Sequence, residues 1–232
     1  MRELMIAAGT LVALWSSVVS SDAQDASPTW TGCYAGGHVG GLWVDEGWVN
    51  RTPGGAHPNA YLGGHESSGG LGGLQAGCDY QFTGGFVIGV QGDYSWANAD
   101  GSHPSAKETG VFYHSKANSV ATVTGRVGYG WDRFLGYVKG GGAWQGDDNW
   151  ATTLIHGPAY TSHDTRAGWT VGVGGEYALT DHLSAYVEYN HYDFGTSRIS
   201  FTPQVAGLPP AFVDIKETTN SVRVGFNFRF NP

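Results

Sequence analysis

The last long segment of the chain alternates strictly between apolar and polar residues. Its apolar residues share one parity: Val222, Val224, Phe226, Phe228 and Phe230. Successive side chains of a β-strand point to opposite faces, so this period of two predicts a strand with one apolar and one polar face.

Seven earlier segments repeat this alternation with varying regularity, and short and long connections alternate between them. The predicted strands are 30–44, 70–82, 86–97, 117–131, 134–145, 168–179, 183–194 and 220–230. The long, polar connections are 45–69, 98–116, 146–167 and 195–219. Glycines recur on the polar faces, and aromatic residues recur near the strand ends.

This pattern predicts an all-β fold, an eight-stranded antiparallel up-and-down transmembrane β-barrel with an apolar outer face and a polar interior. A closed barrel pairs every backbone group and leaves no sheet edge in lipid. Short periplasmic turns and long extracellular loops are typical of outer-membrane barrels. The alternative is a soluble eight-stranded barrel, which would place its apolar face inside.

The remaining composition narrows the function classes. The chain has 38 glycines, only 14% charged residues and a net charge of −8, and it contains no basic cluster that would favour nucleic-acid binding. Residues 1–23 resemble a secretory signal peptide, with Arg2 before an apolar run and the small residue Ala23 at the expected cleavage site. The mature barrel domain is then 24–232. An uncleaved anchor is the alternative, but the apolar run is short for a span.

Several short motifs, taken in order, resemble a known family. They are WTGCYAGG at 30–37, GCDYQF at 77–82, GRVGY at 125–129, GWTVGVGGEY at 168–177, YVEY at 186–189 and YDFG at 192–195. The chain resembles the small outer-membrane β-barrel proteins of alphaproteobacteria, known as outer-membrane immunogenic or porin-like proteins. The resemblance implies an eight-stranded barrel and a role in envelope integrity, surface antigenicity or modest permeability, without catalysis. One departure is that Asn231 and Pro232 follow Phe230, whereas such barrels end on an aromatic residue.

The predicted inward faces carry equal numbers of acidic and basic side chains. They are Asp79, Asp93, Glu176 and Glu188, and Arg126, Lys139, Arg223 and Arg229. The interior of an eight-stranded barrel is just wide enough for side chains to fill it, and buried charges must be paired. We interpret these residues as a salt-bridged plug; a narrow polar pore gated by rearranging the pairs is the alternative.

The two cysteines, Cys33 and Cys78, lie near the periplasmic ends of adjacent predicted strands. An even cysteine count in an oxidising compartment favours a disulfide, and neighbouring antiparallel strands in register bring the pair within reach. Two free thiols are the alternative.

No catalytic, metal or cofactor site is predicted. The loop histidines lack the spacing and the cysteine partners of a metal site: His57, His65, His103, His114, His156 and His163. His182, Ser184 and Glu188 share a strand parity, but residues two apart on a strand are separated by about 6–7 Å. These three residues therefore cannot form one hydrogen-bonded relay.

Outward aromatic residues are expected in two membrane-interface belts. The turn-side set is Trp30, Tyr80, Phe82, Trp131, Tyr177 and Phe230, and the loop-side set is Trp43, Trp96, Trp144 and Tyr189. The predicted function is that of a monomeric structural and surface-exposed protein of the bacterial outer membrane. Its expected partners are outer-membrane lipid, lipopolysaccharide and the barrel-assembly machinery. A small porin and a loop-based receptor or adhesin are the alternatives.

Overall fold

The protein is a closed β-barrel. The computed structural model describes residues 29–53, 59–106, 111–153, 157–203 and 211–230, and the predicted signal peptide and the Asn231–Pro232 tail lie outside them. The strands are β1 (Gly32–Asn50), β2 (Tyr61–Gln81), β3 (Phe86–Pro104), β4 (Val111–Trp131), β5 (Phe134–Thr153), β6 (Gly157–Ala178), β7 (Leu183–Pro203) and β8 (Ala211–Arg229). The eight-stranded, antiparallel, up-and-down prediction is confirmed.

Closure depends on the pairing of the first and last strands. β1 pairs with β8 in one continuous register, from Tyr34 opposite Arg229 to Asn50 opposite Val213. Every strand therefore has a neighbour on both sides. In the part of the chain that the structure describes, no helix is long and apolar enough to cross a bilayer.

The alternation along β8 separates a lipid-facing surface from the barrel interior. Its apolar residues 222, 224, 226, 228 and 230 are each between 39% and 57% exposed. The intervening Ser221, Arg223, Asn227 and Arg229 are buried in the lumen. An apolar outer surface of this extent is stable in lipid, whereas in water it would promote aggregation.

The strands continue beyond their predicted outer ends. They contain 19 to 22 residues, so much of each predicted loop is paired strand. Asp45, for example, lies opposite both Glu66 and Thr218. Above the membrane the outward face of a strand is no longer consistently apolar, so the alternation stops while the backbone pairing continues.

Two rings of exposed aromatic side chains bound the membrane-spanning band. The inner ring contains Tyr80, Phe82, Trp131, Tyr177 and Phe230, and the outer ring contains Trp43, Trp96, Trp144, Trp169 and Tyr189. Trp30 corrects the predicted inner belt, because it is buried inside the barrel end. The Arg229 guanidinium lies 5.5 Å from the Trp30 ring, and its Nη1 donates to the Trp30 carbonyl over 2.7 Å.

Inward glycines make room for large polar side chains. A Cβ atom at Gly174 would lie 2.5 Å from the Tyr137 ring, and one at Gly77 would lie 2.5 Å from the Tyr34 hydroxyl. Both tyrosine rings therefore lie flat against the backbone of a neighbouring strand. This close approach explains why glycine recurs on the polar face of so narrow a barrel.

Candidate functional site: the filled lumen

The end of the lumen nearest the short turns holds one group of charges from alternate strands, here called the inner charge group: Asp79, Arg126, Glu176 and Arg229. Arg126 Nε donates to Asp79 over 2.7 Å, and its Nη1 lies 3.4 Å from Glu176. Arg229 Nη2 lies 3.1 Å from the same Asp79. Because Asp79 lies on β2, Arg126 on β4 and Glu176 on β6, these contacts cross the lumen.

Aromatic rings hold the central guanidinium of the inner charge group in place. The Arg126 Cζ lies 4.8 Å from the ring centroids of both Tyr34 and Tyr137. A guanidinium that is removed from water and placed over two π-faces gains cation–π stabilisation in addition to its ion pairs. Tyr137 also donates its hydroxyl to Glu188 over 3.0 Å, which connects this group to the next layer.

The middle of the lumen holds the second group, here called the central charge group: Asp93, Lys139, Glu188 and Arg223. Lys139 Nζ lies 2.8 Å from Glu188 and 3.8 Å from Asp93. Arg223 Nη1 donates to Asp93 over 2.6 Å. The structure thus places all eight sequence-predicted lumen residues inside the barrel, buried and in mutual contact. Their formal charges balance, four against four.

A layer of amide side chains is hydrogen-bonded to the inner charge group. Gln75 Nε2 donates to Asn227 over 2.7 Å, and Asn227 Nδ2 donates to Glu176 over 3.0 Å. Tyr186 donates its hydroxyl to Gln75 over 2.9 Å. These hydrogen bonds use acceptor and donor positions that the ion pairs do not occupy. Buried polar networks are stable when such positions are satisfied.

An apolar layer lies above the central charge group. It consists of two clusters of buried side chains: Leu42, Val44, Ala99 and Ala117, and Val120, Ala143, Tyr192 and Phe194. Ala99 falls within a predicted loop, and the other seven residues fall within predicted strands. Buried polar side chains lie at the same level, since Ser221 is opposite Leu42 and Gln145 is opposite Val120. The clusters therefore narrow the lumen with mainly apolar side chains, which offer an entering ion few partners in exchange for its hydration.

A polar cluster beyond the apolar layer was missed by the sequence analysis. Gln145, Asp147, Arg166 and Glu217 are all buried there, and we call them the outer cluster. Arg166 Nη1 donates to Glu217 over 2.5 Å, and Gln145 Nε2 donates to Asp147 over 2.9 Å. Three of these residues fell within predicted loops. The signal that could have identified them is their parity, since Glu217 and Arg223 share the inward parity of β8.

The outer cluster differs from the charge groups in its charge balance. Two carboxylates, Asp147 and Glu217, face one cation, Arg166, and Glu46 lies opposite Glu217 in the β1–β8 register. Glu46 is three residues beyond the outer-ring residue Trp43, so Glu217 opposite it lies outside the membrane-spanning band. Burial raises the pKa of Glu217 well above its usual value, and the nearby Asp147 carboxylate adds to the rise.

Cys33 and Cys78 lie directly opposite each other in the β1–β2 register and are joined by a disulfide in the structure. Both residues are exposed on the outer wall, next to Phe230 of the inner ring. The bond therefore links β1 to β2 at the inner end of the barrel, next to the point where Tyr34 of β1 pairs with Arg229 of β8.

The histidines whose side chains the structure describes are engaged in local contacts. His65 Nε2 lies 3.0 Å from the Ser115 hydroxyl, and His114 Nε2 lies 3.2 Å from the Thr152 hydroxyl. The side chains of the other four loop histidines lie outside the described residues. Among the described residues, no three His, Cys, Asp or Glu side chains group as a metal site.

A closed barrel with an apolar band between two aromatic rings and a filled polar interior defines a transmembrane β-barrel of the outer-membrane type. The chain belongs to the outer membrane protein beta-barrel domain family, whose model matches residues 11–230. This confirms the resemblance noted in the sequence and places the protein in the bacterial outer membrane.

Relatives with similar sequences come from Brucella. The chain is 30% identical to the 31 kDa outer-membrane immunogenic protein of Brucella melitensis biotype 1, over 94% of this chain and 93% of that protein. It is 25% identical to the 25 kDa outer-membrane immunogenic protein of Brucella abortus biovar 1, over 99% of each chain.

Solved structures show the same fold at low sequence identity. The outer membrane protein OprG from Pseudomonas aeruginosa is 13% identical, with a TM-score of 0.55 over 90% of this chain and all of that one. The outer membrane protease OmpT from Escherichia coli is 10% identical, also with a TM-score of 0.55, over 89% of this chain and 99% of that one. At such identities the likeness concerns the fold alone.

Proposed function

We propose that this protein is a non-enzymatic structural component of the outer membrane, with a plugged lumen and a surface-exposed outer end. In this role the barrel reinforces the envelope and presents its outer connections outside the cell. The observation that carries the proposal is the balanced, fully buried set of eight charges beneath an apolar layer.

The energetics of the charge groups support a plug. Removing one partner of a buried ion pair typically costs about 3–5 kcal/mol, because the remaining charge is left without compensation. An ion path through the lumen would require several such contacts to separate together. It would also require water to pass between the buried side chains of the apolar layer, which offer few hydrogen-bond partners.

Single-channel recording tests the plug. Mature protein is refolded in detergent, checked for heat-modifiable mobility on gels and inserted into planar bilayers beside a general porin as the conducting control. We expect small or absent currents from the folded barrel. Steady, reproducible openings would instead support the alternative of a small porin for ions or small solutes.

Surface presentation is the second part of the proposal. The Brucella relatives are named outer-membrane immunogenic proteins, and the outer strand extensions of this chain are polar on their outward face. The proposed partners are outer-membrane lipid, lipopolysaccharide and, during insertion, the barrel-assembly machinery, with the barrel acting as a monomer.

A receptor or adhesin is the remaining alternative. Replacing the four outer connections by short turns distinguishes it from a structural protein. Loss of a cell-binding phenotype while the heat-modifiable barrel persists would indicate a receptor. A structural barrel predicts a different result. Deleting the whole protein should lower the resistance of the envelope to detergent, whereas shortening the loops should leave that resistance unchanged.

A further inference from the structure

A groove of about 490 Å³ opens on the outer wall of the barrel, above the outer aromatic ring. It spans β3, β4 and β5 and is lined by Asp100, Gly101, Ser102, His114, Lys116 and Trp150. We call it the outer-wall groove. Its volume is within the range of about 300–1,000 Å³ typical of small-molecule sites.

The height of the groove above the outer aromatic ring indicates which part of the neighbouring lipids it faces. Asp100 is four residues beyond the outer-ring residue Trp96 on β3. At a rise of about 3.3 Å per residue and a tilt of about 40°, it lies roughly 10 Å above that ring. The groove opens sideways at the level where the head groups of neighbouring glycolipids stand, beyond the acyl chains.

One wall of the groove is a flat aromatic pair. His114 and Trp150 face each other across β4 and β5 with their rings 5.2 Å apart and 2° from parallel. A hydrogen bond between His114 Nε2 and the Thr152 hydroxyl, over 3.2 Å, fixes the imidazole orientation. Flat rings of this kind pack against the C–H face of a sugar ring, which is the least hydrated surface of a saccharide.

Polar groups of both kinds surround this aromatic pair. In the cross-strand register Asp100 lies opposite Lys116, and Lys116 lies opposite Asp148. Of these three residues, Asp100 and Lys116 line the groove, which therefore offers a carboxylate acceptor, an ammonium donor and the Ser102 hydroxyl. Sugar hydroxyls, which donate and accept hydrogen bonds, match such a mixed set.

The charge of the groove selects among sugars. The lining carries one carboxylate, Asp100, and one ammonium group, Lys116. Burial lowers the pKa of His114, with a smaller contribution from His65, so the neutral imidazole dominates at pH 7. The groove therefore has no net positive charge to attract a phosphate or an acidic sugar, and an uncharged sugar ring or an amino sugar does not need one.

We propose that the outer-wall groove binds an uncharged or amino sugar ring of a glycolipid in the outer leaflet of the same membrane. The sugar packs its C–H face on the His114–Trp150 pair, while its hydroxyls donate to Asp100 and accept from Lys116. This site depends on residence in the outer membrane and is independent of whether the lumen conducts.

Calorimetric titration of the detergent-refolded barrel with lipid-free core oligosaccharide of lipopolysaccharide tests the proposal. We expect weak but saturable binding that is unchanged or stronger after enzymatic removal of phosphate. Trp150→Ala and Asp100→Asn should each weaken binding at least about tenfold, the loss of about 1.4 kcal/mol. Heat-modifiable mobility verifies the fold of each variant.

Matched controls come from the same outer wall. Tyr61→Ala removes another exposed outward aromatic ring, and Asp45→Asn removes another exposed outward carboxylate above the outer ring. Both should bind as the wild type does. Absence of binding to the wild type, equal binding by Trp150→Ala and Asp100→Asn, or binding that requires phosphate would each overturn the proposal.

A final arm distinguishes a membrane glycolipid from a soluble sugar. Barrels in nanodiscs that contain lipopolysaccharide should no longer bind added oligosaccharide, because the neighbouring glycolipid already occupies the groove. Barrels in phospholipid nanodiscs should bind it. Equal binding in both nanodiscs would show that the groove takes a soluble saccharide, contrary to the proposal.

Discussion

Replacing Arg126 by alanine tests the energetic role of the inner charge group most directly. The substitution removes the contacts of the guanidinium to Asp79 and Glu176 and its stacking between Tyr34 and Tyr137. It leaves the eight-charge set with one excess negative charge inside the barrel. An uncompensated buried charge lowers the free energy of unfolding by about 3–5 kcal/mol. Because two ring contacts are lost as well, we expect a loss near the upper end of that range.

The loss of stability is measured as the change in the free energy of unfolding. Urea titration in detergent or lipid vesicles gives this free energy, with gel mobility as the readout. We expect conductance to change little, because the apolar layer is untouched. The double variant Asp79→Asn with Arg126→Ala restores charge balance and should lose less stability than the two single losses added together.

A matched control uses an arginine at the outer rim. Arg198 also pairs with a carboxylate, that of Asp214, over 2.8 Å, but it is largely exposed to water. Arg198→Ala should leave stability nearly unchanged, because exposed ion pairs contribute little. Wild-type stability for Arg126→Ala, together with a large new current, would refute the plug and support a gated pore.

Three further predictions concern separate parts of the barrel. Because the folded-state pKa of Glu217 is raised, this carboxyl binds more protons in the folded than in the unfolded chain, so its contribution to stability should fall as pH rises above about 4.3. Glu217→Gln should remove this contribution from the pH dependence measured in urea titrations, and an unchanged slope would contradict it. The Cys33–Cys78 disulfide links residues 45 positions apart in sequence, so reduction or the double serine variant should lower the free energy of unfolding by about 2–4 kcal/mol in the same assay. Reductant should have no effect on the serine variant. Equal stability before and after reduction would exclude this contribution. Gly174→Val should reduce the yield of heat-modifiable barrel, because the valine side chain would overlap the Tyr137 ring. Adding Tyr137→Ala should recover part of that yield. A normal yield from Gly174→Val would contradict this packing.

The strand parities could be predicted from the sequence because lipid and lumen impose opposite preferences on successive residues. Lys139 illustrates this, since its neighbours Tyr137 and Val138 are both apolar. Placing the lysine inward fixed the whole of β5, and the structure has Val138 outside and Tyr137 inside. A charge facing lipid is so unfavourable that one such residue decides the register.

The outer ends of the strands could not be predicted in the same way. Where the barrel leaves the membrane, the outward residues become polar, as Asp45 and Lys216 show. The end of the apolar alternation therefore marks the membrane surface, and the strand continues past it. The outer cluster and the outer-wall groove were missed for this reason.

Trp30 shows the limit of inference from residue type. A tryptophan at the start of an outer-membrane strand suggests an interfacial ring residue. Trp30 precedes β1, however, so no alternation fixes its direction. The contact with Arg229, a residue 199 positions away in sequence, keeps it inside the barrel. Such a contact depends on closure of β1 against β8 and has no local signal.

The layered lumen has a consequence for how the barrel could ever conduct. In the proposed plug, the charge groups and the apolar layer would obstruct ions by different physical means, ion pairing in one case and the scarcity of polar partners in the other. Losing Arg126 would hydrate the inner charge group but leave the hydrocarbon of Leu42 and Phe194 in place. Trimming Phe194 would admit water above an intact set of salt bridges. Because these barriers lie in series along one narrow lumen, the proposed plug predicts that neither change alone opens a path.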